Sequence, residues 1–298
     1  MAHLIVGAKA EPFLPSMLAS VDPAVDHLFV NENSGLGTDA PALPALQSSA
    51  FAQSGRMSMV RTTFTTFEDA RNACFDLDTA ADTDTWIAFI DADEVHGERV
   101  AKIRSKLGSL PQAVGFVDGY TWHFFKTYDR YLSIERRMMF FRWSPAARWK
   151  GRVHEQLTGV PGKRVALPYV YAHYGHVVPF AQTARREAQY AALGAAGTLL
   201  SVQDAHAADF HADYDAAERV FSEWWRKCMR FDGKHPAAAL AFIEQDRREN
   251  ASYFRDMERL IVKHQPPVQR ARNAIMKLNY EQRWRLRAIE AARYGFFR

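Results

Sequence analysis

A chain of 298 residues can bury one sizeable core, or a catalytic domain with a smaller appendage. Hydrophobic residues make up 48% and charged residues 24%, ordinary for a globular protein, and a net charge of +4 is too small to call for nucleic acid. Two cysteines, Cys74 and Cys228, exclude a disulfide framework and a four-thiolate zinc site. A reducing, cytoplasmic setting is therefore expected. The opening MAHLIVGAKAEPF lacks a signal-peptide pattern, and no apolar run approaches the roughly 18–20 residues that span a bilayer. Any membrane contact is expected to be peripheral, at the inner face.

In chain order, His3–Val6 is a short apolar run ended by Gly7 and predicts a buried strand. Glu11 and Pro12 open a helix, with Phe13, Leu14, Met17, Leu18 and Val21 at helical spacing. His27–Val30 predicts a second strand, and Asn31–Gly35 a polar loop at its carboxyl end. Thr65, with Glu68 three residues on, reads as a capping box for a helix that turns Ala70, Ala73, Cys74 and Leu77 inward. Trp86–Ile90 is five consecutive apolar residues, the signature of a strand buried on both faces, and stops at Asp91-Ala92-Asp93-Glu94. Val100, Ile103 and Leu107 mark the next helix. This alternation predicts a mostly parallel sheet, which binds ligands at the carboxyl ends of its strands. Both the Asn31 loop and the Asp91 turn fall there.

The second half differs. Val114, Phe116, Tyr120, Trp122 and Phe124 alternate as on a strand, and Met138–Phe141 and Tyr169–Ala172 predict further strands. Beyond Phe180 strand signals disappear. Ala216–Arg230, Ala237–Leu260 and Tyr280–Arg293 predict helices, so residues 1–200 are expected to form one α/β domain and 201–298 a helical C-terminal region.

Asp91 and Asp93 are paired carboxylates after a buried strand, a donor set for Mg²⁺ or Mn²⁺ that leaves positions for substrate phosphates. Taken alone, the pair also fits an acidic turn. Glu155, in Arg152-Val153-His154-Glu155, has the chemistry of a general base, though taken alone a structural ion pair is the better-supported reading. His173 and His176 flank Tyr174-Gly175, where the glycine argues for a turn. With His154 their spacing matches no common zinc pattern, and a histidine lining the Asp91–Asp93 cleft is the better expectation. Arg71-Asn72 opens a helix, and its guanidinium suits phosphate oxygens.

These segments occur in a familiar order. VGAKAE (6–11), HLFVNENSG (27–35), FEDARN (67–72), WIAFIDADE (86–94), WKGRVHE (149–155) and HYG (173–175) together resemble bacterial family 2 glycosyltransferases, the inverting class with the GT-A fold. The resemblance spans about residues 3–195. It implies a mixed α/β sheet flanked by helices, a nucleotide-sugar donor and a carbohydrate or other hydroxyl-bearing acceptor. It further implies Asp91 and Asp93 on the metal and the donor diphosphate, Glu32 near the nucleoside, Arg71 near the phosphates and Glu155 as base. His154, His173, Asn31 and Asn72 are the remaining cleft candidates. The loop after the second strand usually begins with aspartate, and here reads Asn31-Glu32, which leaves the nucleotide open.

Two other readings stand beside this one: a nucleotidyltransferase on the same type of core, and an inactive sugar- or nucleotide-binding module. The first lacks a glycine-rich basic loop, since Ile5–Glu11 offers only Gly7 and Lys9; intact Asp91, Asp93 and Glu155 speak against the second. The C-terminal cluster Trp224, Trp225, Arg226, Lys227 and Arg230 is expected to pack its tryptophans on the catalytic domain. An acceptor cap, a homodimer contact and contact with anionic lipid are the sharper alternatives.

Overall fold

The computed structural model describes residues 1–78, 81–194 and 222–279. Strands β1 (Ala2–Val6), β2 (Leu28–Glu32), β3 (Met57–Arg61) and β4 (Trp86–Ile90) run parallel in the order β3-β2-β1-β4. Helices α1 (Leu14–Val21), α2 (Leu43–Ser48), α3 (Ala50–Gln53) and α4 (Phe67–Leu77) supply the connections. Alternation along β1 divides its contacts. Ala2, Leu4 and Val6 join Leu14, Met17 and Leu18 of α1 in one core, while His3 meets Phe75 of α4 edge-on at 4.9 Å.

Beyond β4 the sheet becomes mixed. β5 (Glu94–Val95) and α5 (Val100–Leu107) precede a long antiparallel pair, β6 (Val114–Phe125) and β7 (Thr127–Arg142). β7 lies antiparallel to β4, β10 (Lys163–His176) parallel to β6, and β5 antiparallel to the end of β10. The order is β3-β2-β1-β4-β7-β6-β10-β5. Between β7 and β10, β8 (Arg148–Lys150) and β9 (Gln156–Thr158) form a separate hairpin.

α6 (Phe180–Ala192), α7 (Ser222–Lys227), α8 (Ala237–Glu249) and α9 (Ala251–Lys263) follow, and 267–279 is helical. Trp225 is fully buried against Phe125 of β6, ring centroids 5.1 Å apart, while Arg226, Lys227 and Arg230 stay exposed. No helix among the described residues is long and apolar enough to cross a membrane.

Several local expectations are corrected. Thr66, not Thr65, caps α4, accepting from Asp69 N–H at 3.1 Å; the Asp69 carboxylate takes both threonine hydroxyls at 2.7 Å. Glu68 is thereby free to accept from Gly151 N–H at 2.7 Å. His173–Gly175 is strand, not turn. Met229–Arg230 is not helical but forms β11, a two-residue strand on β7, and the helix expected over Ala237–Leu260 breaks at Asn250. Residues 216–221 and the helix expected over Tyr280–Arg293 lie outside the described residues.

Candidate functional site

β4 ends at Ile90, and the chain turns through Asp91–Asp93 before β5. The turn is closed from within: Asp91 N–H donates to Glu94 Oε2 at 3.2 Å, and Glu94 N–H to the Asp91 carbonyl at 3.1 Å. Tyr174 N–H of β10 donates to the Asp93 carbonyl at 2.9 Å and ties the turn to the far side of the sheet.

Two arginines converge on Asp91. Arg71 of α4 donates from Nη2 to Asp91 Oδ1 at 3.0 Å and from Nε to Glu155 Oε1, with its guanidinium 4.2 Å over the Phe89 ring. Arg137 of β7 reaches Glu94 Oε1 from Nη1 at 3.0 Å and Asp91 Oδ2 from Nη2 at 3.5 Å. Burial alone would raise the Asp91 carboxyl, but the two guanidinium charges outweigh it and hold Asp91 below the usual carboxylate range. Glu94 goes the other way. Burial, with the Asp91 and Asp93 charges, outweighs Arg137 and pushes it up to about 8.

Asp93 has a different environment. Its ion-pair partner among the described residues is His173 Nε2, 3.4 Å from Oδ1, and no lysine or arginine pairs with it. Burial, then the nearby His123 and Arg137, hold the His173 imidazole neutral, well below its ordinary value. Burial and the Asp93 charge push Glu11, at the end of the loop after β1, up to about 7. The backbone leaves room for this approach only because residue 175 is glycine: a Cβ there would stand 2.2 Å from Asp93 Oδ2 and 2.8 Å from His173 Nε2. The Asp93 carboxylate and the His173 imidazole, 3.4 Å apart, are one oxygen and one nitrogen donor of the kind a divalent ion with mixed N/O preference takes.

Glu155 is delivered by the β8–β9 hairpin, whose turn holds Gly151 at φ 116° and His154 at φ 55°. Asn72 docks this hairpin on α4, donating to the Trp149 carbonyl at 3.0 Å and accepting its N–H at 2.9 Å. Asn31 likewise has a structural bridge, donating to the Ala70 carbonyl at 2.8 Å and accepting from the Thr62 hydroxyl at 2.9 Å. Glu32, buried at the end of β2, accepts from Ser34 N–H at 2.9 Å and lies 3.6 Å from Arg61 Nε. His154 is exposed, with its ring 6.1 Å from that of Tyr190. The structure thus brings Arg71, Asp91, Asp93, Glu155 and His173 together, and leaves His154 apart.

Sequence reasoning missed Arg137 and His123. Both lie on the paired strands β6 and β7, where a polar residue every second position was the available signal. A separate cavity of about 520 Å³ includes Trp122, Phe124, Ala172, Phe231, Pro236 and the 42%-exposed Leu240 in its lining.

No family model and no curated sequence matches this chain. Among solved structures it is similar to the mannosyltransferase PcManGT from Pyrobaculum calidifontis in complex with GDP-Man and Mn²⁺, at 12% identity over 99% of this chain and 85% of that one, TM-score 0.39. It is also similar to S. aureus TarS 1-349, at 10% identity over 97% and 88% of the two chains, TM-score 0.33. A putative glucose-1-phosphate thymidylyltransferase from Bacillus anthracis, in complex with a sucrose, matches at 9% identity over 68% and 80%, TM-score 0.31. With likenesses this distant, the functional reading rests on the site.

Proposed function

We propose that the chain is a divalent-metal-dependent glycosyltransferase of the GT-A, family 2 type, which moves a sugar from a nucleotide-diphosphate sugar to an acceptor hydroxyl with inversion. The observation that carries this reading is Asp93: a carboxylate beyond the carboxyl end of a central strand, facing a neutral imidazole and, among the described residues, paired with no lysine or arginine. Asp93, Asp91 and His173 would hold the ion, and the imidazole favours Mn²⁺ over Mg²⁺. When bound, the ion supplies charge stabilisation to the departing nucleoside diphosphate.

The chain's own residues do the rest. Arg71 and Arg137 fix Asp91, and their guanidinium forks match phosphate oxygens. Glu32, at the carboxyl end of β2, is assigned to the nucleoside. Glu155 is assigned as the base that takes the acceptor proton. Its pairing with Arg71 positions the carboxylate. Glu11 is the second candidate, because a carboxyl poised at about 7 suits proton transfer near neutral pH. Residues 1–200 are read as the catalytic domain and 201–298 as the acceptor side.

The test is a thermal-shift and transfer screen of UDP-, GDP-, CMP- and dTDP-sugars with and without Mn²⁺. One donor should stabilise the fold only with metal, and Asp93→Ala should abolish both that shift and transfer, a loss on the order of several kcal/mol of transition-state stabilisation. Glu155→Gln and Glu11→Gln separate the two bases. Undiminished transfer in EDTA would overturn the reading.

A further inference from the structure

The helix over 267–279 is built inside out. A surface helix ordinarily turns its apolar stripe to the core and its polar face to water. Here the inward anchor is polar. Buried Asn273 donates from Nδ2 to the carbonyls of Arg226 and Cys228 at 2.8 and 3.1 Å, and Gln269 donates to Asn273 Oδ1 at 2.9 Å. Met276 adds an apolar contact with the core, and Lys277 pairs with Asp232. At about 100° per residue, Ala271 and Ile275 stand about 160° around the axis from Asn273, and Val268 and Leu278 about 140°. The exposures agree: Val268 is 82%, Ile275 61% and Leu278 57% exposed, with Ala271 and Ala274 exposed beside them. The apolar stripe faces water.

Charge frames this stripe. Arg270 and Arg272 flank it, about 100° to either side of its centre. Both are exposed, and neither has an ion pair among the described residues. From Leu260 to Asn279 the sequence holds Lys263, Arg270, Arg272 and Lys277 and no aspartate or glutamate. A contiguous exposed apolar stripe marks an interaction surface, and the flanking charge selects what covers it. A second copy docking isologously through this face would bring the basic flanks together with no carboxylate between them. A layer of lipid phosphates over an acyl interior matches both features, the apolar centre and the cationic edges. The 13 residues rise only about 20 Å as helix, short of the ~30 Å hydrocarbon core, so such a helix lies in the interface rather than crossing it.

We infer that this helix docks the chain on an anionic phospholipid bilayer. Val268, Ala271, Ile275 and Leu278 enter the boundary between headgroups and acyl chains, and Arg270 and Arg272 meet lipid phosphates. The helix axis lies in the membrane plane, and the Asn273 anchor holds the rest of the molecule on the water side. One short stripe with two arginines gives a reversible contact, and ionic strength governs it because exposed charges are screened by salt.

Flotation of the full chain with vesicles tests this, using phosphatidylcholine alone and phosphatidylcholine mixed with phosphatidylglycerol. Binding should need phosphatidylglycerol and should fall as salt rises. Ile275→Asn with Leu278→Asn should weaken it by about tenfold or more, and so should Arg270→Gln with Arg272→Gln. All four side chains are exposed, so both double variants should melt with the wild type. Position is read separately, from an environment-sensitive fluorophore attached at Ala271→Cys; Cys74 and Cys228 are buried and do not compete for the label. Its emission should shift to the blue on phosphatidylglycerol vesicles. An unshifted label, or vesicle binding that both double variants retain, overturns the inference. So does a wild type that ignores phosphatidylglycerol at low salt. A dimer in sedimentation velocity that Ile275→Asn with Leu278→Asn dissolves would assign the stripe to a second copy instead.

Discussion

Asp91 and Asp93 are two residues apart and electrostatically opposite: one is clamped by two guanidinium groups, the other faces a neutral ring. The sequence shows the pair but not the difference, because Arg71 and Arg137 arrive from 20 and 46 positions away. The same distance between sequence and environment governs His96, which sequence reading passes over. It stacks on Tyr171 with ring centroids 4.7 Å apart, and burial lowers it to about 3. The sign is fixed by comparing states. Between pH ~6.5, where an unfolded histidine titrates, and about 3, the unfolded chain binds a proton that the native fold refuses. Stability is therefore full above that window and falls with pH inside it, by about 1.4 kcal/mol per unit for this one group. His96→Phe keeps the ring stack and removes the titration. Urea unfolding between about pH 6 and 4 should show a slope shallower than wild type by that amount. Parallel slopes would mean that His96 is already protonated in the native protein.

At the scale of elements, legibility followed the range of the forces involved. Trp86–Ile90 was read to the residue, since an apolar run between polar ends needs no partner to be recognised. α5 was read through Val100, Ile103 and Leu107, all buried. The α4 cap was misread by one residue, because Thr65 and Thr66 both offer hydroxyls and only the fold decides that Asp69 collects them. The Gly175 segment was misread as a turn, because a glycine in sequence does not say whether it bends the chain or admits a neighbour. Here it admits Asp93. The β8–β9 hairpin was invisible as an element, yet its docking decides where Glu155 sits. Asn72 holds it through both the N–H and the C=O of Trp149, a residue with only 4% exposure. Asn72→Ala leaves both groups unsatisfied and should cost about 1–3 kcal/mol in urea unfolding. Transfer should fall further than stability explains, since the Arg71–Glu155 contact depends on the same docking. A variant with wild-type stability and activity would show that Glu68, through Gly151, holds the hairpin alone.

At the scale of the whole molecule, β1, β2, β4 and the helices α1, α4 and α5 were legible, but the edge strand β3 with α2 and α3 was not, nor was the closing of the sheet by β7, β6, β10 and β5, since those pairings are set by register between distant segments. What the C-terminal region does for the fold is now open to test. Phe13, Phe124, Tyr128, Tyr131 and Tyr174 of the first 200 residues form one core with Met229, Phe231, Ala239 and Ile243. Gln265 donates from Nε2 to the carbonyls of Trp225 and Cys228 at 2.8 and 2.7 Å, and Asn273 donates to those of Arg226 and Cys228, so later helices lock the segment that carries Trp225. A chain ending near residue 200 would expose that aromatic face to water. Each large side chain uncovered costs about 1.5–3 kcal/mol, and five of them approach the whole stability of a typical domain, about 5–15 kcal/mol. The truncated protein should aggregate or bind a hydrophobic dye and lose its cooperative thermal transition. Trp225→Ala in the full chain should lower stability by about 3–5 kcal/mol for the same reason. A truncation that stays monomeric, melts cooperatively at the wild-type temperature and keeps Mn²⁺ affinity would show that the N-terminal sheet folds independently, and that the helical region serves something other than its stability.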